Sequence, residues 1–399
     1  MDKQLNKNSL INLFYLAFLI VWQPIKMLTI QIDGKGRIPF VLTLLVLFYN
    51  LVANSNVRKL MGSKPFVIWL VWIIYAFTNM MIKGYHNSSN TPLYYLVNNL
   101  FTPYLALVLM CHECLINLGK PLKLMIYVFS IYCILGFFFM GVFRLDGDSS
   151  MTLGNMLAIN GSLLVFLLCV ARNEKVISGF IFTTLIILVL LLIVASATRK
   201  AFGVAVILIA FYGVSLVGLK PKNIFLVAIL AIVFYVGVNY VIDNTYMGER
   251  LANLSEQAEK KESLASDSKF FQFVGDRAPH YVLGWAIFKQ YPVTGIGLYN
   301  FMHVSRFPER LHTDYMVQFT ENGLIGVVLF ILYYLWYIIN LNKLRGIPER
   351  RSTAIIGMGW IVAVLFLGIS AWTYDMPAVF ICSGVVASFV YSYNKCESL

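Results

Sequence analysis

The sequence predicts an all-α, polytopic integral membrane protein, and three observations carry that reading. Apolar residues make up 59% of the 399 positions and charged residues only 13%, with a mean hydropathy of +0.75, whereas a soluble chain carries roughly a quarter charged residues. The apolar residues fall in long runs, and about twelve of these are long enough to cross the roughly 30 Å of bilayer hydrocarbon. The excess of 31 Lys and Arg over 19 Asp and Glu, net +12, is spread between the runs. A nucleic-acid binder would gather that charge on one face, so no nucleic-acid partner is expected. The shortage of charge excludes a disordered chain, and six Cys in so long a chain exclude a disulfide scaffold.

The runs centre near Phe18, Leu45, Trp72, Leu105, Ile131, Val165, Leu188, Ile209, Ile229, Val328, Leu365 and Val386. They divide the chain into transmembrane helices 1–9 over residues 1–242, one long extracytoplasmic loop over 243–313, and helices 10–12 over 314–399. The first run follows Lys3 and Lys7 and continues through Pro24 into Lys26 without a small-x-small cleavage pattern. It reads as a retained span rather than a signal peptide.

Short connections rich in Lys and Arg stay on the cytoplasmic side. With the N-terminus inside, the inner segments hold 16 of the 31 cations and the short outer connections only seven. Both termini are therefore expected in the cytoplasm and the long loop outside. Carboxylates are scarce in the apolar runs: Glu113 and Glu321 lie near span ends, too few for an ion-coupled transporter with a proton relay. Cys111-His112-Glu113-Cys114 resembles half a zinc site, but no second Cys pair completes four ligands, so it reads as a helix end and no metal is assigned to it.

Three patterns carry chemistry. In Ser196-Ala197-Thr198-Arg199-Lys200 two cations separate two apolar runs with almost no loop between them. Such cations either snorkel at the interface or clamp an anion, for which a guanidinium presents a fixed fork to phosphate oxygens. The second pattern is Gly275-Asp276-Arg277-Ala278-Pro279-His280, then a short amphipathic helix with Val282, Trp285, Ala286 and Lys289 at helical spacing, then Pro292-Val293-Thr294-Gly295-Ile296-Gly297. A dinucleotide loop would need a third glycine where Asn300 stands, so the glycines predict a tight turn. The third is Arg306 to Tyr315 running into Glu321-Asn322-Gly323-Leu324-Ile325-Gly326. His312 falls at or just before the start of a long helix, with Thr313 or Asp314 as N-cap. A helix N-terminus and nearby arginines favour the neutral imidazole that a general base needs. A capping or interfacial histidine is the other reading.

The order of these motifs resembles the O-antigen ligase and Wzy-type O-antigen polymerase superfamily of bacterial membrane glycosyltransferases. The resemblance is focused on residues 196–326 and implies a GT-C-like helical enzyme of the bacterial inner membrane. Its donor would be an undecaprenyl-diphosphate-linked oligosaccharide drawn from the membrane lipid phase, used without a cofactor or metal. Arg199 and Arg277 match the arginines expected to hold the diphosphate, and His312 matches the proposed catalytic histidine. Arg310 is included as substrate-binding because it lies two residues before His312. Thr313 stands where Asn usually follows the histidine.

Polymerisation of lipid-linked repeat units into surface polysaccharide is the leading reading, since nothing in the chain identifies a lipid A core acceptor. Transfer of the finished glycan to such an acceptor by an O-antigen ligase, or a flippase for lipid-linked oligosaccharides, are the other two. A chain-length regulator of the polysaccharide co-polymerase type is a candidate partner. Asp146-Gly147-Asp148 holds the oxygen-rich spacing of a Mg²⁺ site and equally that of a polar turn. The turn is the preferred reading.

Overall fold

The computed structural model describes residues 7–28, 37–86, 91–142, 148–195, 198–217, 278–306 and 310–397. Among these residues every regular element is helical. The chain opens with α1 (Lys7–Leu28), α2 (Arg37–Ala53), α3 (Ser55–Met61) and α4 (Lys64–Lys83). A short α5 (Pro92–Tyr95) passes through a π-helical turn, Leu96–Phe101, into α6 (Thr102–Ile116). Then follow α7 (Gly119–Val142), α8 (Asp148–Asn173), α9 (Gly179–Ala195) and α10 (Arg199–Val217). Beyond residue 277 come α11 (Ala278–Gln290), α12 (Phe301–Ser305), α13 (Asp314–Met316), a second π-helical turn (Val317–Asn322) and α14 (Gly323–Arg345). The 3₁₀ turn Pro348–Arg350 leads to α15 (Arg351–Gly368), and α16 (Pro377–Glu397) ends the described chain.

Six of these helices are long and apolar enough to cross a membrane, among them Lys64–Lys83, Met156–Asn173 and Pro348–Gly368. A seventh is added if α2 and α3, which bend by 106° at Asn54, form one broken span. Lys7–Trp22, Gly179–Ile193 and Pro377–Ser392 are shorter apolar helices. At 1.5 Å per residue a 20-residue helix covers about 30 Å, the hydrocarbon thickness. Exposed Phe48, Ile74, Phe180 and Leu191 show that these helices are apolar on their outer faces too, as a lipid-facing helix must be. The expected run centres fall within described helices except Ile229, which lies outside the described residues. Residues 243–277 of the expected loop, and Asp146, also lie outside them, while Asp148 begins α8.

The bundle is built around α6, which is buried along its whole length from Thr102 to Cys114. It packs against α16 at Gly384, where a Cβ would stand 2.7 Å from the Leu107 carbonyl oxygen. Helices in lipid gain little from hydrophobic burial and associate through such close, small-residue contacts. A contact of the same kind joins α10 to α15, where Gly203 faces Phe366 and Gly359 faces Phe211. Trp69 stacks on Trp72 with centroids 4.6 Å apart and meets Tyr333 at 4.6 Å, so an aromatic cluster joins α4 to α14.

The buried carboxylate of α6 is paired, as an apolar medium demands of a charged group. The Glu113 carboxylate accepts a short hydrogen bond from the Ser9 hydroxyl and one of 2.8 Å from the Asn12 amide. The Nδ1 of His112 lies 3.0 Å from the same carboxylate.

Candidate active site

The site begins with the two glycine turns. Gly295, Gly297 and Gly323 all have positive φ, at +66°, +85° and +64°, which L side chains adopt only with strain. The turn at 292–297 lies backbone to backbone against residues 320–325. Ile296 N donates to Thr320 O at 3.1 Å, Gly297 N to Glu321 O at 2.8 Å, Leu324 N to Pro292 O at 2.8 Å and Ile325 N to Val293 O at 3.3 Å. From α4, Asn79 Nδ2 donates to Thr294 O at 2.7 Å and Glu321 O at 3.1 Å, and Tyr75 OH donates to Asn322 O at 2.7 Å. The tight turn expected from the glycine spacing is therefore present, and its task is to fix the start of α14.

The π-helical turn Val317–Asn322 ends at this stitching, where the carbonyls of Thr320 and Glu321 are spent on the loop and Gly323 interrupts the helix. Irregular turns of this kind collect at functional sites. The buried Glu321 side chain, released from the helix surface, accepts the backbone N–H of Phe301 at 3.3 Å. Asn300 anchors the same stretch to the end of α4 through Gly84 O at 2.7 Å.

A second seam joins residues 311–315 to the connector between α15 and α16. The Trp372 indole N–H donates to Leu311 O in a short hydrogen bond. Thr373 donates its backbone N–H to the Asp314 carboxylate at 2.9 Å and its hydroxyl to the same group. Tyr315 OH reaches Leu365 O at 2.7 Å and Tyr281 OH reaches Ile369 O at 3.0 Å. These contacts bracket His312. Its half-buried imidazole lies over the Trp372 indole with centroids 5.1 Å apart and planes 17° apart, and the buried His280 ring is 5.3 Å away. The N-cap position is Thr313, as the sequence suggests, but its hydroxyl makes no capping bond. Asp314 is spent on Thr373 instead.

Arg310 sits beside this seam, half-buried, with its guanidinium carbon 4.0 Å from the centre of the Tyr299 ring. A guanidinium over an aromatic face is held in place while its charge is kept. Its field reaches the carboxyls of Asp375 and Glu321, yet it forms no ion pair with a described residue. Burial raises Asp375 from the usual carboxylate range to about 7, against the opposing pull of its Asn99 hydrogen bond and the Arg310 charge. Asn99, in the first π-helical turn, also donates to Tyr299 OH at 3.3 Å, and Tyr95 meets the Tyr299 ring edge-on at 4.1 Å. Both π-helical turns thus deliver polar side chains to one end of the bundle.

The expected site residues divide as follows. His312 and Arg310 lie in one described segment, on neighbouring contacts of the seam. Arg199 is the first residue of α10, and its side chain is outside the described set. The backbone there belongs to the same end of the bundle, because Gly203, one turn on, packs against Phe366 while Tyr315 bonds Leu365. Arg277 lies outside the described residues. Sequence reasoning passed over Trp372, Thr373, Asp375, Tyr299 and Asn99. The available signal was Ser370-Ala371-Trp372-Thr373-Tyr374-Asp375, a polar and aromatic stretch in a short connection between two apolar runs.

Fold and site together define a polytopic helical membrane protein with a polar site that holds an arginine and a histidine at one end of its bundle. A family model described as O-Antigen ligase matches residues 184–331, a stretch that contains Arg199, Arg277, Arg310 and His312. The match supports the O-antigen ligase and Wzy superfamily as the relatives of this segment. No curated protein matches the chain.

Proposed function

We propose that the protein is a bacterial inner-membrane glycosyltransferase that polymerises polyprenyl-diphosphate-linked oligosaccharide repeat units on the extracytoplasmic face. The observation that carries the reading is that Arg310, held over the Tyr299 ring in no ion pair with a described residue, stands two residues before a half-buried His312. Both fall within the O-antigen ligase match. The twelve-span topology, cytoplasmic termini and division at residues 242 and 313 belong to the same proposal.

In the reaction the acceptor hydroxyl oxygen attacks the anomeric carbon and the bond from that carbon to the diphosphate oxygen breaks. The diphosphate leaves with the electron pair, and the hydroxyl proton passes to His312. Negative charge grows on the leaving group, so Arg199, Arg277 and Arg310 would stabilise the transition state more than the ground state. His312 is the base because its ring is oriented by Trp372 and by bonds on both sides, from Leu311 and Asp314. A group held in one orientation is what proton transfer requires.

The test incubates purified protein with a defined polyprenyl-diphosphate oligosaccharide, with and without lipid A core. A ladder of products without added acceptor supports the polymerase. Product only with lipid A core would replace it with the ligase, and movement of the lipid-linked glycan without any new glycosidic bond would replace it with the flippase. The His312→Ala variant is expected to lose transfer by about 10²- to 10⁴-fold while still binding donor. Transfer at the parent rate would remove His312 from its role.

A further inference from the structure

At the opposite end of the bundle from His312, the ends of α6, α14 and α16 enclose a cavity of about 400 Å³. Leu115, Leu118, Leu344, Ile347 and Phe389 form the apolar part of its wall, Ser388 and Ser392 face in from α16, and Glu349 and Arg350 line it from the connector. The connector that borders it, residues 343–351, carries Lys343, Arg345, Arg350 and Arg351 against the single acid Glu349, a balance of 4 − 1 = +3. All four cations are exposed, and none forms an ion pair with a described residue.

We propose that this cavity binds the headgroup and proximal acyl chain of an anionic glycerophospholipid from the leaflet that borders the 343–351 connector. The chemistry of the lining selects that ligand. A free inorganic anion would meet the cations but would lie against an apolar wall that offers it nothing. A zwitterionic lipid would fill the wall and leave the cations uncompensated. A lipid with a net negative headgroup satisfies both, in the manner of basic pockets between helix ends that take anionic headgroups. Bound there, the lipid braces α6, α14 and α16, and α6 is the buried axis of the bundle.

The experiment titrates full-length protein in neutral detergent with phosphatidylglycerol or phosphatidylcholine and reads bound lipid by native mass spectrometry, with inorganic phosphate as competitor. Phosphatidylglycerol is expected to be retained about tenfold more strongly than phosphatidylcholine, with no effect of millimolar phosphate. Arg350→Ala is expected to reduce that preference about fivefold. Ser392→Trp, which keeps every charge and fills the cavity from an exposed position, is expected to abolish it. Equal retention of the two lipids would overturn the proposal, as would displacement by phosphate. A preference that survives Ser392→Trp would also overturn it, since the charge would then act at the surface and not in the cavity. Should Ser392→Trp fail to fold, Arg350→Ala decides alone, and an unchanged preference in that variant rejects the site.

Discussion

Substituting Gly323 by alanine probes the seam on which the site depends. A Cβ built there would stand 2.5 Å from Gly295 N, 2.5 Å from Val293 O and 2.6 Å from Val293 C. All three are backbone atoms, so no side chain can swing aside. The residue also holds φ at +64°, which costs an L-residue about 1–2 kcal/mol. Forcing the two backbones apart adds roughly 1–3 kcal/mol by overpacking precedent, and the Leu324–Pro292 and Ile325–Val293 bonds are the ones stretched. The expected loss of stability is therefore about 2–5 kcal/mol. Denaturant or thermal unfolding in detergent measures it, with Gly213→Ala as the control. Gly213 lies within α10, and a Cβ there meets nothing within 4 Å. That exchange is expected to be neutral or to gain up to about 1 kcal/mol of helix propensity. If Gly323→Ala unfolds within about 0.5 kcal/mol of the control, the backbone seam does not govern this end of the molecule.

Three further outcomes test the site itself. Arg310→Ala is expected to lower glycan transfer by about 10²-fold or more, and Arg310→Lys to restore only part of it, because an ammonium keeps the charge and loses the planar fork; steady-state rates with saturating donor separate the two. Trp372→Leu removes the surface beneath His312 and the bond to Leu311, and is expected to lower kcat by about 10²-fold with donor binding retained, which parallel binding and turnover assays will resolve. The third outcome concerns pH. Because the folded state holds Asp375 up near 7, folding binds a proton there that the unfolded chain releases near 4. Stability from this group is present below about pH 4 and falls as pH rises toward 7. The parent is expected to melt at a higher temperature at pH 5 than at pH 8, and Asp375→Asn to narrow that difference.

The fold was legible wherever composition alone decides it. An apolar run of 20 residues has few options other than a lipid-embedded helix, which is why eleven of the twelve run centres fall within described helices, of which six are long and apolar enough to cross a membrane. The alternation of connections between two sides of the bundle also matches the described contacts. Segments expected on one side meet one another, as in Asn300 with Gly84, Tyr299 with Asn99, and Leu311 with Trp372. Segments expected on the other side do the same, as Asn173 with Thr353. The helix Ala278–Gln290 was legible from its spacing, and Val282, Trp285, Ala286 and Lys289 do share an exposed face.

What was illegible is of a different kind. Nothing local marks Asn99 or Asp375 as companions of Arg310, because they lie 211 and 65 residues from it in sequence and meet it only through tertiary packing. The two π-helical turns were equally hidden. A register change in a helix follows from where neighbouring backbones spend their hydrogen bonds, and the periodicity of the sequence does not record it.

The buried carboxylates bear on whether this bundle is a conduit or an enzyme. A proton or ion path needs acids that can exchange partners along a route. Glu113 is instead enclosed by Ser9, Asn12 and His112, with Asn50 bonded in turn to Asn12 at 2.9 Å. Glu321 is tied to the backbone N–H of Phe301, and Asp314 is spent on Thr373. Each of these acids holds two chain segments together. Arg310, by contrast, faces the site with its charge uncancelled by any ion pair among the described residues. Interior acids tied to fixed partners, with a positioned cation two residues from a histidine stacked on Trp372, are compatible with the proposed transfer reaction. Acids fixed in this way do not form the exchangeable route that a proton or ion path needs.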